Sequence, residues 1–185
     1  MKEIDEIYED MVNLFEEANG YFIKYNRELI ESNVAERTLC GALKECIDGV
    51  KCKTEYKNYS ADVEYNRNKN GVVKTIIDND FKVVKINCDL ILHSRGKCVE
   101  LDNLIAIEMK KSERPLAEKT SDRNRIIALT KDSYDGVWSY DGKTLPEHVC
   151  RYVLGIYYEI DIDEKIVYLE YYRCGELVKH MNFSI

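Results

Sequence analysis

Apolar residues return at Ile4, Ile7, Met11, Leu14 and Ala18, with Tyr8 and Phe15 beside them, which is the three-and-four spacing of a helix with one buried face. Gly20 allows a break or bend before a second apolar stretch from Tyr21 to Ile30. From Glu36 the same period runs through Leu39, Cys40, Leu43 and Ile47, so a second helix is predicted from Val34 to about Ile47. A Lys-rich connector from Lys51 to Lys57 follows, and the pattern then changes to alternation. Strands are predicted at Tyr59–Asn66, Val72–Ile77, Val83–His93 and Asn103–Lys110, with turn residues between them. The helical period comes back from Leu116 to Thr130, with Pro115 suited to its first turn. After a loop from Tyr134 to His148, three alternating runs close the chain at Tyr152–Ile160, Ile166–Tyr172 and Leu177–Phe183.

Within this order, Leu104-Ile105-Ala106-Ile107 is apolar on both faces, as a central strand is when both sides of its sheet are covered. The run then breaks to Glu108, Met109 and Lys110, and a period of two points Glu108 and Lys110 to the same face. Eighteen residues separate Glu108 from Asp89, itself set in the apolar run Ile86 to Leu92. An unpaired carboxylate in such a place costs several kcal/mol, roughly, unless a cation or hydrogen bonds compensate. A bound divalent ion is one solution; a structural ion pair with Lys110 is the other.

Asp89…Glu108-Met109-Lys110 resembles the PD-(D/E)XK phosphodiesterase superfamily, over roughly residues 34–160. The resemblance implies an α/β fold with a restriction-endonuclease-like central mixed β-sheet flanked by helices, its core ordered helix, three meandering strands, helix, strand. Residues 1–33 would add N-terminal helices and 161–185 a C-terminal antiparallel extension, all within one domain spanning 1–185. It also implies that Asp89, Glu108 and the backbone carbonyl of Met109 ligate Mg2+ or Mn2+, while Lys110 serves as the catalytic amine. Two departures stand out: Cys88 replaces the Pro of the family name, and the Gln-x-x-x-Tyr signature of one branch is missing after Lys110.

Members of that superfamily commonly carry an acid on the helix before the first strand, which makes Glu36 a further candidate catalytic residue. Asn33 followed by Glu36 also reads as a capping box, in which the carboxylate serves the helix terminus alone. Glu64 either enlarges the acidic site, orients a basic residue or faces solvent. Trp138 and Tyr140 either stack on bases or fill a satellite cluster under their loop.

Composition narrows the class. An apolar share of 45% over 185 residues suffices for one domain with a core. Seven Cys without a Cys-x-x-Cys pair read as reduced thiols, and no stretch has the length to span a bilayer, so a cytoplasmic protein without a membrane partner is expected. The net charge of −7 opposes nucleic-acid binding, yet seven acids in residues 1–17 stand against Lys2 alone. Basic residues gather instead near the candidate site: His93, Arg95, Lys97, Lys110, Lys111, Arg114, Lys119, Arg123, Arg125 and Lys131. His93, His148 and His180 are too dispersed for zinc, and no nucleophile elbow or Gly-rich phosphate loop is present.

The expected function is therefore a metal-dependent nuclease (an endonuclease-like hydrolase) with DNA as substrate. The alternative is a catalytically inactive nuclease-like fold that binds protein or nucleic acid. The acidic N-terminal stripe either joins the core or makes a dimer contact, and recruitment by a protein partner would offset the modest positive charge.

Overall fold

The N-terminal stripe forms a helix, α1, running from Ile4 to Tyr25 in the computed structural model, which describes residues 2–65, 75–77, 83–85, 88–132 and 150–185. Glu3 and Glu6 close its first turn as a capping box. Gly20 does not interrupt it, contrary to the expected break. Ala18 and Phe22, both fully buried, hold the helix on the core on either side of that glycine, and burying one large apolar side chain is worth about 1.5–3 kcal/mol against roughly 1 kcal/mol for a helical Gly. The break falls at Asn26 instead, before the short α2 (Arg27–Glu31).

Helix α3 covers Glu36–Lys51, starting two residues later than expected and ending four later. Ala35 occupies the N-cap position. Asn33 lies outside, at φ 55°, with its carbonyl and side chain both accepting from the Lys111 ammonium. The capping-box reading of Glu36 is thereby overturned, because the residue meant to cap is committed to a different element.

Strand β1 (Ser60–Val63) is followed by a two-stranded antiparallel hairpin of β2 (Thr75–Ile77) and β3 (Val83–Lys85). Then come β4 (Leu90–His93), β5 (Asn103–Lys111), α4 (Leu116–Thr130), β6 (Leu154–Asp161), β7 (Ile166–Arg173) and β8 (Glu176–Ser184). Among the described residues the main sheet has six strands in the order β1-β4-β5-β6-β7-β8. Every neighbouring pair is antiparallel except β5 and β6, which α4 connects as a parallel pair. The chain is α/β, with a mixed sheet flanked by helices.

Two expectations need correcting here. Val83–His93 is not one strand: β3 belongs to the separate hairpin, and Asp89 sits in a bend just before β4. Pro115 precedes the first helical turn of α4 as its N-cap. The segments around Asn68–Gly71 and Val72, and the loop carrying Trp138, Tyr140 and His148, lie outside the described residues.

The two faces of the sheet carry different layers. Helices α1 and α3 cover one face, where Ile7, Met11, Leu14, Phe15 and Ala18 pack with Leu39, Leu43, Ile105, Ile107 and Tyr158. Phe15 and Phe22 meet the Tyr158 ring edge-on at 6.4 and 6.2 Å between centroids. The N-terminal stripe thus joins the core, the first of the two uses expected of it. Helix α4 covers the other face with Ile126 and Leu129 over Ala106, Tyr157 and Tyr172. No helix of the described residues is long and apolar enough to cross a membrane, and all seven cysteines are free.

The α4 layer is seated closely because β6 offers it Gly155. A Cβ there would stand 2.6 Å from Ile126 Cγ2 and 2.7 Å from Thr130 Cγ2. Gly155→Ala should therefore lower stability by about 1–3 kcal/mol through overpacking. Urea unfolding monitored by circular dichroism checks this; an unchanged midpoint would show that α4 does not lie that close.

Candidate functional site

Strand β5 builds the site by outrunning its neighbour. Its pairing with β4 ends at Leu90 opposite Ile107, while its pairing with β6 continues to Lys111. From Glu108 onward one backbone edge of β5 has no strand beside it among the described residues, and a buried N–H there needs another acceptor. Asp89 supplies it: Met109 N donates to Asp89 Oδ2 at 2.9 Å. In the adjacent position, the buried Cys88 thiol donates to the Ile107 carbonyl at 3.2 Å. Cys88 thus ties the bend to β5, which accounts for a small apolar side chain just before the acid.

Alternation along β5 sends Ile107 and Met109 to the α1/α3 layer and Ala106 to the α4 layer. Glu108 and Lys110 share the α4 side, as the period of two requires. The Glu108 side chain is fully buried, and Arg125 from α4 places Nη1 2.7 Å from its Oε2. That pair is close but poorly aligned, so neither Glu108 oxygen has a well-directed hydrogen bond. Lys110 Nζ lies 2.8 Å from Asp122 Oδ2, also on α4, and 3.4 Å from the Met109 carbonyl. Arg125 Nη1 is in turn 3.2 Å from Asp122 Oδ1. Asp89, Glu108 and Lys110 are therefore brought together, with two α4 residues among them.

Glu36 stands at the rim. As the first residue of α3, it accepts from Lys111 N and from Arg114 Nε, both at 3.1 Å, and its other oxygen is 3.8 Å from Lys110 Nζ. It reaches the site through Lys110. Glu64 does not join the acids: it takes φ 51° past the end of β1 and pairs with the exposed Arg37 at 3.4 Å. That conformation also reverses the alternation, so Tyr65 packs with the α4-side cluster although Ala61 and Val63 pack on the opposite face.

Electrostatics single out the two acids on β5 and its flank. Burial, then the negative charge of Asp89, push the Glu108 carboxyl well above the usual carboxylate range, despite Arg125. Burial also raises Asp89, against the Met109 N–H and the Lys110 charge. Burial works against the Lys110 ammonium, yet Asp122, Asp89 and Glu36 together hold its pKa above the ordinary value. Most of the basic residues expected near the site are already engaged. Lys119 meets Glu159 at 2.7 Å, Arg123 binds Glu170 through Nε and Nη2, and Arg95 and His93 both hold Asp62.

A divalent ion fits the donor chemistry. The buried Glu108 oxygens lack directed partners, Asp89 is beside them, and the Met109 carbonyl leaves the same strand edge as the N–H that Asp89 holds. These are hard oxygen donors, which suit Mg2+ or Mn2+. Among the described residues no group of three or more His, Cys, Asp or Glu side chains is arranged to hold a metal; the donors open to an ion here would be two carboxylates and a carbonyl.

Sequence reasoning missed Asp122, and took Arg125 only as one of many basic residues. The signal was available: Asp122 lies four residues before Ile126 and seven before Leu129, on the stripe of α4 that enters the core. A carboxylate on a core stripe needs a partner. The chain matches no family model, no curated protein and no solved structure.

A raised carboxyl pKa has a definite sign in stability. The folded state holds the Glu108 proton more tightly than the unfolded chain, so without divalent ions stability falls as pH rises from the ordinary carboxylate value through the raised one. Glu108→Gln keeps the shape and removes the ionisation. It should raise the melting temperature at pH 8, with the difference shrinking toward pH 5. Calorimetric scans at both pH values decide this, and a variant less stable at pH 8 than at pH 5, relative to the parent, contradicts it.

Proposed function

We propose that this chain is a metal-dependent nuclease of restriction-endonuclease-like fold, acting on phosphodiester bonds in DNA. The observation that carries the reading is the convergence of Asp89, Glu108 and Lys110 at the edge of β5 left uncovered by β4, with Glu108 buried and its oxygens undirected. The chain order supports it: α3, the antiparallel strands β1, β4 and β5, helix α4, then β6 parallel to β5. A bound divalent ion would supply a polarised water and neutralise charge building on the phosphate oxygens.

The protein's own groups have assignable tasks. Asp89 and Glu108 hold the ion, Asp89 fixed in place by the Met109 N–H. Lys110, held charged by its acidic neighbours, sits beside the Met109 carbonyl, where it orients the attacking water and stabilises developing negative charge. Glu36 positions Lys110 and the β5 backbone from the rim. We place the protein in the cytoplasm, where free thiols stay reduced. With so many cations internally paired, a recruiting partner or a second copy would strengthen its hold on nucleic acid.

One observation favours the second reading, a nuclease-like fold used for binding alone. Glu108 and Lys110 are each already matched by a charge from α4, Arg125 and Asp122. Incubation of supercoiled plasmid, single-stranded DNA and RNA with Mg2+ or Mn2+ separates the two. Cleavage of DNA should fall by about 10²-fold or more in Asp89→Asn and in Lys110→Met. Activity equal to the parent's in both variants defeats the nuclease assignment, and an absence of cleavage together with a melting temperature indifferent to Mn2+ supports the binding module.

A further inference from the structure

We infer that Arg125 is the resting counter-cation of Glu108 and gives way to the divalent ion, so that a residue of α4 sets the metal affinity of the site. This rests on the nuclease reading above, but it concerns a residue that the motif does not contain.

Three observations lead to it. The first is steric. Arg125 Nη1 lies 2.7 Å from Glu108 Oε2, and a Mg2+ ion on the same oxygen would sit about 2.1 Å away. The two cations would then be at most about 4.8 Å apart within a water-poor site, where like charges repel strongly.

The second is charge balance. With Asp89 and Glu108 deprotonated, as ligands of an ion must be, they and Asp122 face Lys110 and Arg125, which leaves one negative charge without a counter-ion. Exchanging the guanidinium for a divalent ion brings the group to neutrality. Adding the ion while Arg125 stays would leave it positive.

The third is the route. Glu108 is fully enclosed and cannot move to meet an ion, whereas the Arg125 side chain keeps 28% of its surface exposed. It can swing toward solvent on a long flexible stem while the helix stays seated. The pair is also close without being aligned, so leaving it forfeits little directed hydrogen bonding. The neighbouring Arg123 shows the contrast: its Nε and Nη2 both make directed hydrogen bonds to Glu170, and its guanidinium lies 3.9 Å above the Tyr157 ring.

The test is calorimetric titration of the full chain with Mn2+ alone, in the absence of nucleic acid, for the parent, Arg125→Gln, Arg125→Lys and Glu108→Gln. Arg125→Gln should bind Mn2+ about tenfold more tightly than the parent, a coupling of the usual size for mutually exclusive ligands. Arg125→Lys, which keeps a cation in place, should bind like the parent, and Glu108→Gln should lose binding. Equal or weaker affinity in Arg125→Gln overturns the exchange, as does tightening of the same size in Arg125→Lys. No Mn2+ binding by any of the four proteins removes the metal site itself and with it the nuclease reading. Should Arg125→Gln fail to fold, a crystal of the parent soaked in Mn2+ decides: Arg125 displaced from Glu108 supports the exchange, and Arg125 still within ion-pair distance of it refutes it.

Discussion

A carboxylate sealed inside a sheet and its covering helix must draw positive charge to itself, and Glu108 organises this end of the molecule for that reason. Its burial raises its affinity for a proton, Arg125 approaches from α4, and Asp122 and Lys110 close the circuit. Removing Arg125 alone would take from the buried Glu108 its nearest positive charge. Glu108 and Lys110 on the sheet and Arg125 and Asp122 on the helix therefore form one unit, and the seating of α4 on Gly155 is what brings its two halves into register.

The same unit depends on a mismatch of strand lengths. Because β4 is short and β5 long, the backbone beyond Ile107 is bare on one edge while the other edge continues against β6. Asp89 is drawn to the bare edge to satisfy the Met109 N–H, and that hydrogen bond fixes where its carboxylate stands. Glu36, at the start of α3, does similar work two residues farther along β5, accepting from Lys111 N. Backbone amides left over at a strand end thus locate two of the acids, and the chemistry proposed for the site grows out of that accounting.

For the proposed metal site, function and stability pull against each other. A buried acid with a raised pKa weakens the fold at neutral pH unless a cation compensates. A structure selected for stability alone would favour an apolar residue at this position. Retaining the acid, with a partner held by a close but undirected contact, suits a site that accepts a cation from outside. Lys119, Arg123, Arg114 and Arg95 are each tied to a carboxylate, so these cations are neutralised within the protein.

Periodicity alone determined the long elements: the stripe of α1, the unbroken apolar run of β5, α4 from Leu116 to Thr130 and the closing strands, because each carries enough residues for its repeat to outweigh local exceptions. It also placed Glu108 and Lys110 on one face, a consequence of strand geometry that needs no partner. Tertiary structure decided the rest. Gly20 stays helical because the core grips both its sides, Asn33 abandons its capping role for Lys111, and Asp89 leaves the strand pattern to reach Met109. Asp122 and Arg125 join the site only because α4 crosses β5 at that point. Repeats along the chain record which face is buried, whereas the identity of a charge's partner depends on where distant segments meet, and no local pattern encodes that distance.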